Sequence, residues 1–250
     1  MNRLILVAFA ALAAAPLRAE TVADLSEGAR DYVEGNILGT LYHELGHALI
    51  DVLEPVVLGQ EEDAADVLAV VLAHDLWEEE YARRVASATA LSFWLSSEEG
   101  YETAYWDVHG PDEQRYYNTV CLFYGADPDA RADFAQEFEL PEDRAAYCAD
   151  EFALANESWG AYLDDIALGE TEAPAKSLSF VNAGGDEEIA ALLMDEVTDL
   201  NALYRLPTPV AVRLEACDEA NAFYDPETRV ISICTEYVDY LMDQAISAEL

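Results

Sequence analysis

The chain has 250 residues, of which 51 are acidic and 12 basic, so its formal net charge is −39 at pH 7. A surface this acidic repels nucleic acid and anionic membranes, so we expect neither as a partner. The length suits a single domain and is ample for a buried core. Two interpretations of the acidity stay open: a solvated acidic shell, as in proteins adapted to salt, or attraction of basic peptide substrates.

Residues 1–19 have the pattern of a secretory signal peptide. Arg3 gives a positive start, an apolar run covers residues 4–16, and Ala19 is the small residue before the expected cleavage point. The apolar run is too short to span a bilayer as a stable helix; a retained N-terminal anchor is the alternative. We therefore predict an exported protein, periplasmic or secreted, whose mature part is one domain over residues 20–250 without a membrane span.

The first predicted helix covers residues 31–54, where apolar side chains recur every four positions and Pro55 ends the pattern. Gly35, Gly39 and Gly46 lie inside it, and each costs about 1 kcal/mol of helix stability against alanine. Their spacing predicts that a neighbouring element packs close to this helix.

Several more helices are predicted before the end of the chain. Apolar periodicity places them over residues 61–73, 78–95, 112–124, from about 129, 141–157 and 186–203. Residues 169–185 are polar, with Pro, Ser and Gly, which predicts a loop or mobile linker.

The C-terminal part has a different pattern. Residues 210–214 alternate like a strand, and residues 221–224 and 229–233 predict two strands joined by a turn. A closing helix is predicted over residues 237–246. Together these elements predict an α+β fold that is mainly helical, with a small C-terminal β-hairpin or sheet.

The most informative motif is His43-Glu44-Leu45-Gly46-His47, inside the first predicted helix. Two histidines four positions apart share one helix face, so both imidazoles can bind one metal ion. The intervening glutamate can take a proton from a water molecule at that metal. The motif therefore predicts a zinc site, with His43 and His47 as ligands and Glu44 as the general base.

A site of this kind needs a third protein ligand and an open position for water. The next acidic cluster is residues 61–66, where Glu62 and Asp66 are four apart and share a helix face. We assign Glu62 to the metal and Asp66 to a hydrogen bond with the outer nitrogen of a ligand histidine. Glu61 and Asp63 we assign to electrostatic stabilisation of the helix N-terminus.

Four cysteines make an even set in a chain expected to be exported, which predicts two disulfides. They are Cys121, Cys148, Cys217 and Cys234. Three pairings are possible, and we favour pairing between neighbours in sequence.

Residues 43–50 together with residues 61–66 resemble a bacterial family of exported proteins of unknown function called "putative metallopeptidase". The similarity extends through residues 112–118 and the cysteine-bearing segments, so it covers most of the mature chain. Glu62 and Asp66 are also similar to residues of the gluzincin peptidases, where a glutamate is the third zinc ligand and an aspartate supports a ligand histidine. The resemblance implies a zinc peptidase that acts on peptides or proteins.

Residues 221–226, with the strand and helix after them, resemble the hairpin that precedes the active-site helix in HtpX-like metallopeptidases. Here the hairpin follows the motif of His43, at the end of the chain. We hypothesise a circularly permuted arrangement, in which the hairpin packs beside that helix and offers a strand edge to extended peptide.

The remaining candidates are side chains of the middle of the chain. His109, on a predicted loop, is a candidate to stabilise an oxyanion beside the metal, with a packing role as the alternative. His74 has no partner motif, so we assign it a structural role. Tyr101, Tyr105 and Trp106 form an aromatic cluster that we expect to be part of the core.

The sequence thus predicts a zinc-dependent metallopeptidase in which Glu44 activates water for attack on the peptide carbonyl. The alternative is an exported, zinc-stabilised binding or scaffold protein that turns over no peptide. A metal-dependent hydrolase of a non-peptide amide is a third possibility.

Overall fold

The computed structural model describes residues 21–100, 102–169 and 171–250, so the predicted signal peptide lies outside the described residues. A short 3-10 turn at Val22–Asp24 precedes the first helix. Within the described ranges the elements are, in chain order, α1 (Glu27–Leu53), α2 (Glu61–Leu76), α3 (Glu79–Glu98), α4 (Asp112–Ala126), α5 (Ala132–Glu137), α6 (Glu142–Ile166), β1 (Leu178–Asn182), α7 (Glu187–Leu203), β2 (Val210–Glu215), β3 (Ala222–Asp225), β4 (Val230–Cys234) and α8 (Thr235–Ser247). The predicted α+β fold is confirmed, since the helices dominate and the strands form one small sheet. Nothing helical in these ranges has the length and apolar character needed to cross a membrane.

Helix α1 is the central element of the fold. It begins earlier than predicted because the Ser26 side chain caps it, accepting a hydrogen bond from the Ala29 N–H. It ends where Glu54 adopts a left-handed conformation directly before Pro55. Helices α2, α3 and α8 and the strands β3 and β4 all contact it, so most of its side chains are buried. Functional groups on α1 are therefore carried by a rigid element.

The glycines of α1 mark where its neighbours come closest. A Cβ atom at Gly35 would lie 2.7 Å from the Cβ of Ala88 in α3, and one at Gly46 would lie 2.9 Å from the Cα of Ala65 in α2. The predicted close approach is confirmed, and it involves two neighbouring helices rather than one. At Gly46 the opposing atom belongs to the backbone, so α2 has no side chain to move aside.

The sheet has the order β1-β2-β4-β3, in which β1, β2 and β4 are parallel and β3 is antiparallel to β4. Strand β1 lies within residues 169–185, so the prediction of a loop there is wrong for this segment. Only Leu178 of its five residues is fully buried, so the strand lacks the alternation that would have indicated it. Its conformation depends on pairing with β2, to which α7 connects it, and such pairing is not encoded locally.

The predicted C-terminal hairpin is formed by β3 and β4 and packs on α1. The Tyr224 hydroxyl donates a hydrogen bond of 2.8 Å to the Asp51 carboxylate near the end of that helix. Directly after β4, α8 returns along α1, and the hydroxyls of Tyr237 and Thr40 lie 3.1 Å apart. The predicted packing of the hairpin against the helix of His43 is confirmed.

Both predicted disulfides are present, with the favoured pairing of neighbours in sequence. Cys121 pairs with Cys148, which joins α4 to α6. Cys217 pairs with Cys234, which joins the segment after β2 to the end of β4. Two disulfides are typical of proteins that fold in an oxidising, exported environment.

A buried polar group links α1 to α7. The Tyr42 hydroxyl donates a 2.8 Å hydrogen bond to the Glu196 carboxylate and accepts one of 2.7 Å from the Trp77 indole. Glu196 is only 3% exposed. Burial raises the pKa of Glu196 from 4.5 to about 7, because little water reaches the charged form.

We expect the stabilising contribution of Glu196 to decline as pH rises. The folded protein keeps a proton on Glu196 between pH 4.5 and about 7, where the unfolded chain has lost it, so the contribution is complete below this window and lost above it. Glu196→Gln is neutral at every pH, so it should lack this component, at most about 1.4 kcal/mol per pH unit. Urea unfolding of both proteins across the window measures the difference; identical pH profiles would contradict it.

Substitution of Gly46 should destabilise the protein even though alanine is the better helix former. Alanine gains about 1 kcal/mol in helix propensity, but forcing a methyl against the α2 backbone costs about 1–3 kcal/mol. Gly160→Ala in α6 is the matched control, since a Cβ there would meet nothing within 4 Å. Thermal unfolding should show a lower melting temperature for Gly46→Ala and a higher one for Gly160→Ala. A rise for both would show that α1 and α2 separate easily.

Candidate metal centre

His43 and His47 lie one turn apart on the face of α1 that meets α2. Their Nε2 atoms are 3.2 Å apart, so both point to the same position in space. The Oε2 atom of Glu62, in the first turn of α2, is 3.2 Å from the Nε2 of His43 and 3.3 Å from that of His47. The structure therefore brings together the three side chains for which the sequence predicts metal binding.

The spacing of these three donor atoms fits a zinc ion. Zinc binds histidine nitrogen and carboxylate oxygen at about 2.0–2.2 Å, and the edges of such a tetrahedron are about 3.3–3.5 Å long. The observed separations of 3.2, 3.2 and 3.3 Å are close to these edges. Hydrogen bonds from His109, His43 and His47 hold the pKa of Glu62 well below its usual range, so this oxygen is an anionic donor.

Asp66 contacts the ring nitrogen of His43 that faces away from the proposed metal position, as the sequence predicts. Its Oδ1 atom is 2.8 Å from the Nδ1 of His43, on the side of the ring away from Glu62. Burial lowers the pKa of His43, but hydrogen bonds to Asp66 and Glu62 outweigh burial and raise it to about 9. A contact of this type fixes the tautomer and orientation of a metal-binding imidazole.

Arg115, in α4, holds Asp66 in place. Its Nε and one terminal nitrogen each donate a hydrogen bond of 2.8 Å to the two oxygens of Asp66. The guanidinium also stacks on Phe93, with 4.1 Å between its central carbon and the ring centroid. Burial raises the pKa of Asp66, but the hydrogen bonds from Arg115 and His43 more than offset it, so the carboxyl stays ionised.

Glu61 supports the second histidine, which corrects the assignment of this residue to the helix N-terminus alone. Its Oε1 atom lies 2.8 Å from the Nδ1 of His47. The side chain of Glu61 is 53% exposed, whereas that of Asp66 is 20% exposed. The two supporting carboxylates therefore differ in how strongly water competes for them.

Glu44 is buried beside the donor atoms and belongs to the same cleft. It is 6% exposed, and burial raises its pKa against the opposing effect of His43 and His47. The backbone N–H of Tyr224, in β3, faces its carboxylate and opposes the rise of the pKa. Glu44 thus lies between the two histidines of α1 and the edge of the sheet.

His109 lies at the centre too, although nothing in its sequence spacing relates it to α1. Its Nε2 atom is 3.0 Å from the Oε2 of Glu62. Its Nδ1 atom is 3.2 Å from the Oδ1 of Asp107, which also accepts a 3.0 Å hydrogen bond from the His109 backbone N–H. Among the residues that the structure describes, His43, Glu62 and His109 form a group close enough to hold a metal ion.

A cleft of about 710 Å³ opens from these residues to solvent. Strand β3 forms one wall, and the segment of residues 104–110, which we call the His109 loop, contributes Val108 and His109 to the other. Tyr105 and Trp106 of this loop are 83% and 84% exposed, so the expectation that they belong to the core is wrong. The described residues lining the cleft include glutamates and Asp51 but no lysine or arginine.

The chain belongs to the family described as "Putative metallopeptidase", whose model matches residues 6–163 and 186–249. This match covers nearly the whole chain, in agreement with the resemblance seen in the sequence. No curated protein and no solved structure matches the chain significantly. Membership implies a metal-dependent enzyme that acts on peptides or proteins.

Sequence reasoning missed three residues around the centre: Glu61, Asp107 and Arg115. Glu61 and Asp107 contact histidines with their own carboxylates, whereas Arg115 acts on His43 through Asp66. None of the three has the spacing of a known motif. An arginine in a chain so poor in cations was the available signal, because a buried arginine needs an acidic partner.

The unequal exposure of the supporting carboxylates predicts unequal effects on metal affinity. Asp66→Asn should weaken zinc binding by about 10–100-fold, because it removes a buried charged partner of His43. Glu61→Gln should weaken it less, since water can replace this half-exposed group. Competition with a chromogenic chelator gives both dissociation constants. Equal losses, or a larger loss for Glu61→Gln, would contradict the assignment of Asp66 as the principal support.

Proposed function

We propose that this protein is a zinc-dependent peptidase, with His43, His47 and Glu62 as the zinc ligands. The observation that carries this proposal is the convergence of three donor atoms with tetrahedral spacing beside a buried glutamate. A zinc ion bound there would polarise the scissile carbonyl and lower the pKa of a water molecule to about 7. Membership of a metallopeptidase family supports this chemistry.

Glu44 is the general base in this proposal. Its carboxylate takes a proton from the attacking water and then delivers it to the leaving amine. Burial raises its pKa, and a raised pKa makes its carboxylate a stronger base than a solvated one. The Tyr224 N–H facing it favours the ionised form of this carboxylate.

The free edge of β3 is the proposed binding surface for an extended peptide. The carbonyls of Asn221 and Asp225 accept hydrogen bonds from the partner side of the hairpin. Because successive residues of a strand face opposite ways, Ala222 and Tyr224 turn their backbone groups towards the cleft. The Ala222 N–H donates to the Asn221 side chain and the Tyr224 N–H faces Glu44, so the carbonyls of these two residues are the proposed contacts for a peptide. A peptide added here would run past Glu44. The circular permutation relative to HtpX-like peptidases stays a hypothesis.

We place this activity in the periplasm or outside the cell. The two disulfides support an oxidising compartment, in agreement with the predicted signal peptide. The carboxylates that line the cleft favour cationic peptide substrates over acidic ones.

A zinc-stabilised binding or scaffold protein is the second candidate, and one observation favours it. His109 supplies a further donor atom close to those of His43 and Glu62, and zinc sites with four protein ligands are characteristically structural. Metal binding alone does not distinguish the peptidase from the scaffold protein, because both require it. Turnover of peptide by the wild type distinguishes them, because only the peptidase cleaves peptide.

Glu44→Gln should bind zinc normally but lower kcat/KM for peptide hydrolysis by at least about 100-fold, because the amide cannot accept the proton. The measurements are zinc content by elemental analysis and cleavage of casein or a peptide library. Glu54→Gln is the matched control: it changes an exposed glutamate at the end of the same helix.

Cleavage retained by Glu44→Gln would contradict the role of Glu44. A wild type that binds zinc stoichiometrically and cleaves no peptide in the library would favour the scaffold function.

A further inference from the structure

His109 is built into the centre in the same way as the two histidines of α1. In each of the three rings Nδ1 faces a carboxylate and Nε2 faces the same oxygen of Glu62. For His109 the carboxylate is that of Asp107, two residues earlier on the same loop. A metal-binding histidine characteristically has its second ring nitrogen held by a partner of this kind, which fixes its tautomer and orientation.

His109 lies close to two of the three proposed zinc ligands, His43 and Glu62. Its Nε2 is 3.0 Å from the Oε2 of Glu62, similar to the separations among the other donors. A catalytic zinc site keeps its fourth position for water or substrate. In this structure the His109 side chain lies beside the donor atoms, in the cleft from which that ligand would enter.

On the basis of the proposed function, we propose that His109 is a fourth, exchangeable zinc ligand that keeps the enzyme latent until the His109 loop moves. The Nε2 lone pair of His109 would occupy the fourth coordination position. When the imidazole leaves, a water oxygen or the substrate carbonyl oxygen would donate a lone pair in its place. No proton or electron is transferred in this exchange. The released imidazole stays beside the cleft, where the sequence predicts a donor to the oxyanion.

The surroundings of the His109 loop favour such a movement. On the side away from the cleft, a cavity of about 360 Å³ separates the loop from the end of α3 and the start of α4. Tyr105, Trp106 and Val108 are 83%, 84% and 63% exposed, and Val108 lines the cleft itself. An extended peptide on β3 would contact Val108, and burial of this apolar side chain would favour displacement of the loop.

Cobalt(II) in place of zinc tests the assignment without recourse to activity. The full chain is loaded with one equivalent of Co²⁺, and azide is titrated while the visible absorption spectrum is recorded. We expect the wild type to have the intense bands of a four-coordinate centre that azide hardly changes. His109→Ala should bind azide at least about ten-fold more tightly, with a clear spectral change, and should bind Co²⁺ about 10–100-fold less tightly.

Two further variants complete the experiment. His74→Ala is the matched control, because this histidine lies on α2 with its Nδ1 3.1 Å from Arg131, outside the metal centre. It should behave as the wild type. Asp107→Asn keeps His109 but loses the charged support, so its azide affinity should lie between those of the wild type and His109→Ala. The His109 side chain is 44% exposed, so its removal should leave the circular dichroism spectrum unchanged.

Equal azide affinities and equal spectra for the wild type and His109→Ala would overturn the assignment of His109 while leaving the three-ligand site intact. Failure of both the wild type and His74→Ala to bind Co²⁺ would instead overturn the proposed function. The two failures are therefore distinguishable.

Discussion

Helices α1 and α2 meet backbone to backbone where Gly46 faces Ala65. The pairing of His43 and His47 with Glu61, Glu62 and Asp66 depends on this contact, because the two histidines belong to one helix and the three carboxylates to the other. A Cβ at position 46 would lie 2.9 Å from the Ala65 Cα, so α2 would have to move outward by about 0.5–1 Å to restore ordinary contact. Donor atoms spaced for one ion tolerate far less, since metal–ligand distances vary by only about 0.2 Å. The glycine inside the motif is thus as much a part of the site as the residues on either side.

The local part of the centre was predictable from the sequence. His43, Glu44 and His47 are related by helical periodicity, and Glu62 and Asp66 by the same rule on the next helix. One short connection between two helices then leaves few ways to pack them. The disulfide pairing and the hairpin were accessible for a similar reason, because their partners are close in sequence.

The parts that were not predictable depend on contacts between distant segments. Arg115 reaches Asp66 from α4, and His109 reaches Glu62 from an irregular loop that no periodicity describes. Strand β1 lacks alternation and becomes a strand by pairing with β2. Tyr105 and Trp106 were assigned to the core from their residue type alone, whereas their exposure follows from the path of the loop.

The two disulfides have a consequence for what holds the centre together. One joins α4 to α6 and the other closes the segment around β3 and β4, so neither covalently ties α1 to α2. At their contact, carboxylates from both helices crowd together: Glu44, Glu61, Glu62 and Asp66. A bound zinc ion would act there as a cross-link between the two helices, and its positive charge would offset the repulsion among these carboxylates. Chelation would then loosen the packing of α2 against α1, so the supply of metal would govern the protein's lifetime.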